Sequence, residues 1–113
     1  MKTYISSGKT IAVPAPYTVT SGAGALVGSL FGVAQADAAS GATVQLVTVG
    51  VFDLVKTASQ AWTVGARIYW DDSTKACTTT AATNKLIGVA VLAVGSGAGE
   101  TTGRVRLSGA MTI

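Results

Sequence analysis

No charged residue stands between Lys9 and Asp37, and the centre of that interval reads GAGALVGSLFG, from Gly22 to Gly32. A neutral stretch with glycine at this spacing has three physical readings, and they lead to different folds. Gly22, Gly24 and Gly28 approximate a dinucleotide-binding fingerprint, which needs a strand, a glycine turn and a helix whose N-terminus faces the pyrophosphate. Here the residues after Gly28 alternate like a strand. Asp53 follows the next strand, but no crossover helix of sufficient length precedes it. Gly24, Gly28 and Gly32 also repeat every fourth residue, as in packed membrane helices. Pro14, Pro16, Thr18, Thr20 and Ser21 break the first half of the interval, and the apolar remainder, Ala23 to Ala34, is too short to cross a bilayer as a helix. Three glycines would also weaken that helix by about 1 kcal/mol each relative to alanine. The remaining reading is a turn at Ser21 to Gly24 leading into a strand in which Val27, Ser29, Phe31 and Val33 alternate with Leu26, Gly28, Leu30 and Gly32. Glycine inside a strand marks close approach of another group, so Gly24, Gly28 and Gly32 are expected to be steric clearances.

The rest of the chain extends this reading. KTIAV precedes a corner at Pro14-Ala15-Pro16. TVQLVTVGVFDLV is a long extended run with a bend or bulge expected at Gly50. TVGARIYW leads through Asp71 to Lys75 into ACTTT, a hairpin signal. LIGVAVLAV is apolar on both faces, so it is expected to be the most buried strand or to lie at a subunit contact. GSGAGETTG has the composition of a flexible loop. RVRLSG places Arg104 and Arg106 on one face and Val105 and Leu107 on the other. Strands at this spacing predict an all-β fold, a single small β-barrel or β-sandwich-like domain over residues 18–113, preceded by an extended N-terminal arm over residues 1–17. At 113 residues the chain is one domain's worth.

The side chains needed for catalysis are scarce. There is no histidine, and the carboxylates are Asp37, Asp53, Asp71, Asp72 and Glu100. Asp71 and Asp72 fall in a turn, where aspartate serves backbone geometry. Cys77 is the single cysteine, so it forms no internal disulfide and has no histidine to activate it as a nucleophile. Gly8-Lys9-Thr10 resembles the end of a phosphate loop, but the other glycine of that motif would fall at Thr3, and the preceding strand is missing. No enzyme activity, cofactor, metal or small-molecule substrate is expected. Ala34-Gln35-Ala36 has the form of a signal-peptidase site, yet Lys2, Lys9, Pro14 and Pro16 do not make the short basic region that precedes one. The eight basic residues give a net charge of +3 but are scattered, with only Arg104 and Arg106 close together, so they are read as a solvated set and nucleic acid is not an expected partner.

Only 12% of residues are charged, about half the usual fraction. A chain this short of charge is expected to cover part of its surface with other chains. Core packing is the first reading for the aromatics, but Trp and Tyr concentrate energy at such contacts, so one or two of them are expected to serve contacts between chains. The candidates for subunit or capsid contact are Tyr4, Val13, Pro14, Pro16, Tyr17, Phe31, Trp62 and Trp70.

PAPYTVTSGAGALVGSLFGVAQADAASG, followed by GVFDLVKTASQAWTVGARIYWD and LIGVAVLAVGSGAGETTGRVRL, resembles the capsid cement, or head decoration, proteins of tailed phages over nearly the whole chain, from about Ile11 to Leu107. No single motif is diagnostic, whereas their order and spacing together are. Some members of that family carry a label as RecA/RadA-type recombinases, which would require a full phosphate loop and a much larger ATPase domain; the residues here supply neither. The resemblance implies an all-β virion structural protein of a bacteriophage or prophage. It implies a homo-oligomer, specifically a homotrimer, that binds the major capsid protein on the outside of the assembled head without catalysis. The protein would reside in the host cytoplasm before assembly. The alternatives are another virion component, of tail or fibre, and a small DNA-binding accessory protein.

Overall fold

The computed structural model describes residues 8–108. Nine strands occur there: β1 Thr10–Pro14, β2 Gly24–Val27, β3 Leu30–Ala34, β4 Thr43–Val47, β5 Val49–Val55, β6 Arg67–Asp71, β7 Ala76–Thr78, β8 Lys85–Ala90 and β9 Thr102–Ser108. They form two antiparallel sheets, ordered β1-β4-β3-β2 and β5-β9-β8-β6-β7. The fold is all-β, and no helix occurs among the described residues.

The long run TVQLVTVGVFDLV is two strands in two different sheets. The chain passes between them at Thr48, whose buried hydroxyl donates to the carbonyls of Gly8 and Lys9. Gly50, with φ of 121°, takes a backbone conformation open to glycine just past this crossing. The five-stranded sheet curls until its outer strands meet: Lys56 bridges Cys77 in parallel, and the Thr57 N–H donates to the Cys77 carbonyl. This gives the sheet a barrel-like closure that removes part of one exposed edge.

Two apolar clusters fill the fold. The larger contains Phe31, Val33, Leu54, Trp62, Ile68, Trp70, Ile87, Val105 and Leu107. The smaller contains Ala15, Val19, Ala25, Ala34, Val44 and Leu46. Phe31 of the first sheet and Trp70 of the second meet with ring centroids 5.0 Å apart and planes inclined by 52°. A tilted pair of this kind contributes about 0.5–1.5 kcal/mol beyond its buried area, and here it joins the two sheets.

The expected single strand through GAGALVGSLFG is instead a hairpin. Val27 pairs with Leu30, leaving Gly28 and Ser29 as a two-residue turn. Gly28 has φ of 58°, which suits the glycine-first turn that matches the twist of paired strands. Nothing lies within 4 Å of a Cβ built at Gly28, so its expected role as a steric clearance is corrected: the backbone angle requires glycine there. Gly24 and Gly32 differ. A Cβ at Gly24 would lie 2.7 Å from Phe31 Cζ and 2.9 Å from Trp70 Cη2, and one at Gly32 would lie 2.7 Å from Leu46 Cβ.

Part of the segment expected to be an arm is strand. Residues 10–14 pair with β4, and the Ala15 N–H donates to the Ala42 carbonyl. The GSGAGETTG stretch also gives up its end to β9, which begins at Thr102. What remains of the loop is tied down by backbone bonds between Trp62 and Val94 and from Ser59 N–H to the Gly97 carbonyl. The hairpin predicted around Asp71–Lys75 forms as β6 and β7, with Asp71 opposite Ala76.

Candidate interaction surfaces

Three of the expected contact residues are interior. Trp62 is 1% exposed, Trp70 2% and Phe31 5%. The correction has a simple cause: each ring has an apolar body that the two curved sheets enclose, and each indole N–H finds an internal acceptor. Trp62 Nε1 donates to Gln60 Oε1, and Trp70 Nε1 donates to Asp72 Oδ1. A buried Tyr or Trp with its polar atom satisfied has nothing left to offer a partner. Of the remaining candidates, Pro14 and Pro16 are exposed, while Val13 and Tyr17 are half-buried against the smaller cluster. Tyr4 lies outside the described residues.

Tyr17 organises the junction of the sheets. Its hydroxyl donates to Asp72 Oδ1 at 3.0 Å and accepts from the Leu26 N–H at 3.1 Å, which caps a backbone donor of β2, the outer strand of its sheet. Burial, opposed by the Leu26 bond and reinforced by Asp72, lifts the phenol to about 12. Lys75 Nζ sits 4.1 Å from the Tyr17 ring centroid and 3.4 Å from Asp72 Oδ1. These side chains flank a cleft of about 260 Å³ whose other walls include Val19, Gly24, Leu54 and Trp70. The cleft is mostly apolar, and no group of three or more His, Cys, Asp or Glu residues suited to a metal ion occurs among the described residues. Cys77 is buried, and burial pushes its thiol up to about 12, so it carries no thiolate at neutral pH.

Lys56 departs from the expectation that the cations form a solvated set. It is 2% exposed, and Nζ donates to the carbonyls of Thr57 at 2.8 Å and Glu100 at 3.0 Å, with the Trp62 ring centroid 5.9 Å away. Its ammonium therefore anchors the loop before β9. Gly103, at the start of β9, lies directly over Trp62, and a Cβ there would overlap the six-membered part of the indole. Sequence reasoning missed this glycine because it was grouped with the loop.

The outer face of the five-stranded sheet is the main exposed feature. Arg104 and Arg106 point outward from β9 while Val105 and Leu107 point into the core, matching the alternation in the sequence. Across the strands, Val51 faces Arg106, Arg106 faces Val89, and Val89 faces Arg67. Residues directly opposite one another share a face, so these four form one row. Beside it Asp53 faces Arg104, with Arg104 Nε 2.9 Å from Asp53 Oδ1, and that bond holds the carboxyl below its usual range. Val51 and Val55 are 54% and 59% exposed. Arg67 was not grouped with the other two arginines from sequence, because only the strand register brings it alongside them. The expectation that LIGVAVLAV is the most buried strand is corrected: β8 is central in its sheet but buries only Ile87 and Ala90, whereas β3 buries four of its five residues, and Leu92 beyond β8 is 48% exposed.

An all-β domain with two apolar clusters, a small apolar cleft and a mixed apolar and basic sheet face has the character of a structural protein that works by binding other proteins. The chain belongs to the phage cement protein family, whose model matches residues 5–107. It is thus a phage structural protein with a capsid-stabilising role, located at the capsid of the virion and associated with the major capsid protein. No curated protein and no solved structure gives a match.

Proposed function

We propose that this protein binds the outside of the assembled phage head as a homotrimer and stabilises the shell by bridging neighbouring major capsid subunits. Family membership over residues 5–107 is the observation that carries this reading. The scarcity of charge and the exposed valines of β5 support it, because both suit a surface that other chains cover. Bridging stabilises in a direct way: subunits held by the same cement molecule separate only when its binding free energy is lost. Three linked contacts raise avidity by about 10²–10⁴-fold over one. The function is mechanical and involves no catalytic step.

The N-terminal segment contributes to the shell contact in this reading. β1 is an outer strand of its sheet and ends at Pro14, whose ring fixes φ and lowers the entropy cost of an extended conformation. The test uses heads assembled without the protein. Adding it back should raise the temperature at which heads release DNA, and light scattering should show a trimer free in solution. Deleting residues 1–13, which removes β1 up to its terminal proline, should weaken head binding, and unchanged head binding with unchanged trimerisation would refute the role of this segment. A protein that stays monomeric and fails to bind heads would refute the proposal.

A further inference from the structure

The outer face of the β5-β9-β8-β6 surface combines features that together specify a partner. Its central row alternates Val51, Arg106, Val89 and Arg67. Arg67 and Arg106 make no ion pair among the described residues, whereas Arg104 is held by Asp53. Arg67 and Arg106 stand on strands two apart, so their backbones are about 10 Å from each other, with the half-buried Val89 between them. Three arginines stand on this face against Asp53, which is paired with Arg104, and, at the far end of β6, Asp71, which is held by Ser73, leaving Arg67 and Arg106 as its unpaired cations among the described residues.

We propose that this face makes a further contact with the shell, and that it seats on an acidic protein surface whose carboxylates pair with Arg67 and Arg106 while apolar groups cover Val51, Val55 and Val89. The proposal rests on the head-binding reading above. Charge complementarity selects the partner. A second copy of this chain fits less well, because the chain is itself basic, with eight Lys and Arg against five Asp and Glu, and each aspartate already accepts an internal bond: Asp37 from the Ser21 N–H, Asp53 from Arg104, Asp71 from Ser73, and Asp72 from Tyr17 and Trp70. Glu100 is the one acidic side chain with no such bond among the described residues. Duplex nucleic acid also fits poorly. Phosphate recognition uses a dense set of cations, and the valines that share this row with the two arginines have no role in it. Apolar groups with interleaved arginine are what protein interfaces select.

The experiment measures binding to heads assembled without the protein, for wild type, R67E/R106E and the neutral pair R67Q/R106Q, at low and high salt. Both substituted proteins should keep the wild-type oligomeric state and melting temperature, because these side chains are exposed. R67E/R106E should bind heads at least about tenfold more weakly. Wild-type affinity should fall as salt rises from 0.1 to 1 M, where the screening length drops from about 10 to 3 Å, and the neutral pair should show a flatter dependence. Unchanged head binding by both variants would overturn the assignment of this face while leaving the proposed function standing. Failure of wild type to bind heads would overturn the function, and this assignment with it. Loss of the oligomer in R67E/R106E would show a self-interface and overturn the choice of partner. Tight, salt-sensitive binding of wild type to duplex DNA, abolished in R67Q/R106Q, would overturn it in favour of phosphate.

Discussion

Replacing Gly24 by alanine should destabilise the protein at the point where its two sheets meet. The added Cβ would sit 2.7 Å from Phe31 Cζ and 2.9 Å from Trp70 Cη2 and Cζ3. Carbon atoms at optimal separation lie about 3.5–4.0 Å apart, so the rings must retreat by roughly 1 Å. Both rings are buried and packed on each other, so their retreat disturbs the contact that joins the sheets. Overpacking of this kind costs about 1–3 kcal/mol. Alanine recovers about 0.4–1 kcal/mol by restricting the unfolded chain, because Gly24 does not have a left-handed φ. The net loss should be about 1–2 kcal/mol, or a fall in melting temperature of about 5–15 °C. Urea unfolding and thermal melts at one fixed protein concentration measure it, since oligomerisation would otherwise shift the result. Gly28 supplies the control. Gly28→Ala should also cost about 1–3 kcal/mol, but through the positive φ and not through contact, since nothing lies within 4 Å of the added Cβ. Gly24→Ala should also shift tryptophan fluorescence through Trp70, which Gly28→Ala leaves in place. A Gly24→Ala protein that melts within about 2 °C of wild type with unchanged fluorescence would refute the account of the sheet junction.

Lys56→Met keeps an apolar stem against Trp62 but deletes two charge-assisted bonds to carbonyls, which should cost about 2–3 kcal/mol and increase proteolytic cleavage at residues 95–100; an unchanged cleavage rate would show that the lysine does not hold that loop. Stability should fall as pH rises from about 9 to about 12. Cys77 and Tyr17 both have folded values of about 12, above their ordinary values of 9.0 and 10.0, so in that window the unfolded chain loses protons that the folded chain keeps. Below pH 9 this contribution is fully present. The double variant Cys77→Ala/Tyr17→Phe should show a flatter alkaline decline in melting temperature, and an identical decline would count against both assignments. In the native state Cys77 should also resist thiol reagents at neutral pH and react once the protein is unfolded in urea, as a colorimetric thiol assay would show.

Much of the strand pattern was legible because alternation is local. In β9 every second residue is buried, and TGRVRLS shows this directly in its sequence. The turn between Asp71 and Ala76 was legible for the same reason, since Asp71 accepts from the backbone N–H and hydroxyl of Ser73 two residues away. GAGALVGSLFG was only half legible. Its strand character was correct, but the turn at Gly28 was hidden, because the alternating pattern continues across Gly28-Ser29 with no polar cluster to mark a reversal. Trp62, Trp70 and Phe31 read from sequence either as core or as contact residues, and the fold puts them in the core; the acceptors that satisfy the two indoles, Gln60 and Asp72, become useful only when the fold aims them.

The sequence by itself determined the all-β class, the lack of histidine and of any second cysteine, and the outward direction of Arg104 and Arg106. These depend on composition and on a two-residue period, neither of which requires knowing which strand lies beside which. Only the tertiary structure decided that the run from Thr43 to Val55 divides between two sheets at Thr48, that Lys56 is buried beneath the loop before β9, and that Arg67 joins Arg106 across Val89. Those outcomes depend on pairing between residues tens of positions apart. Strand register sets such pairings through the burial of whole faces at once, and no local stretch of sequence carries that information.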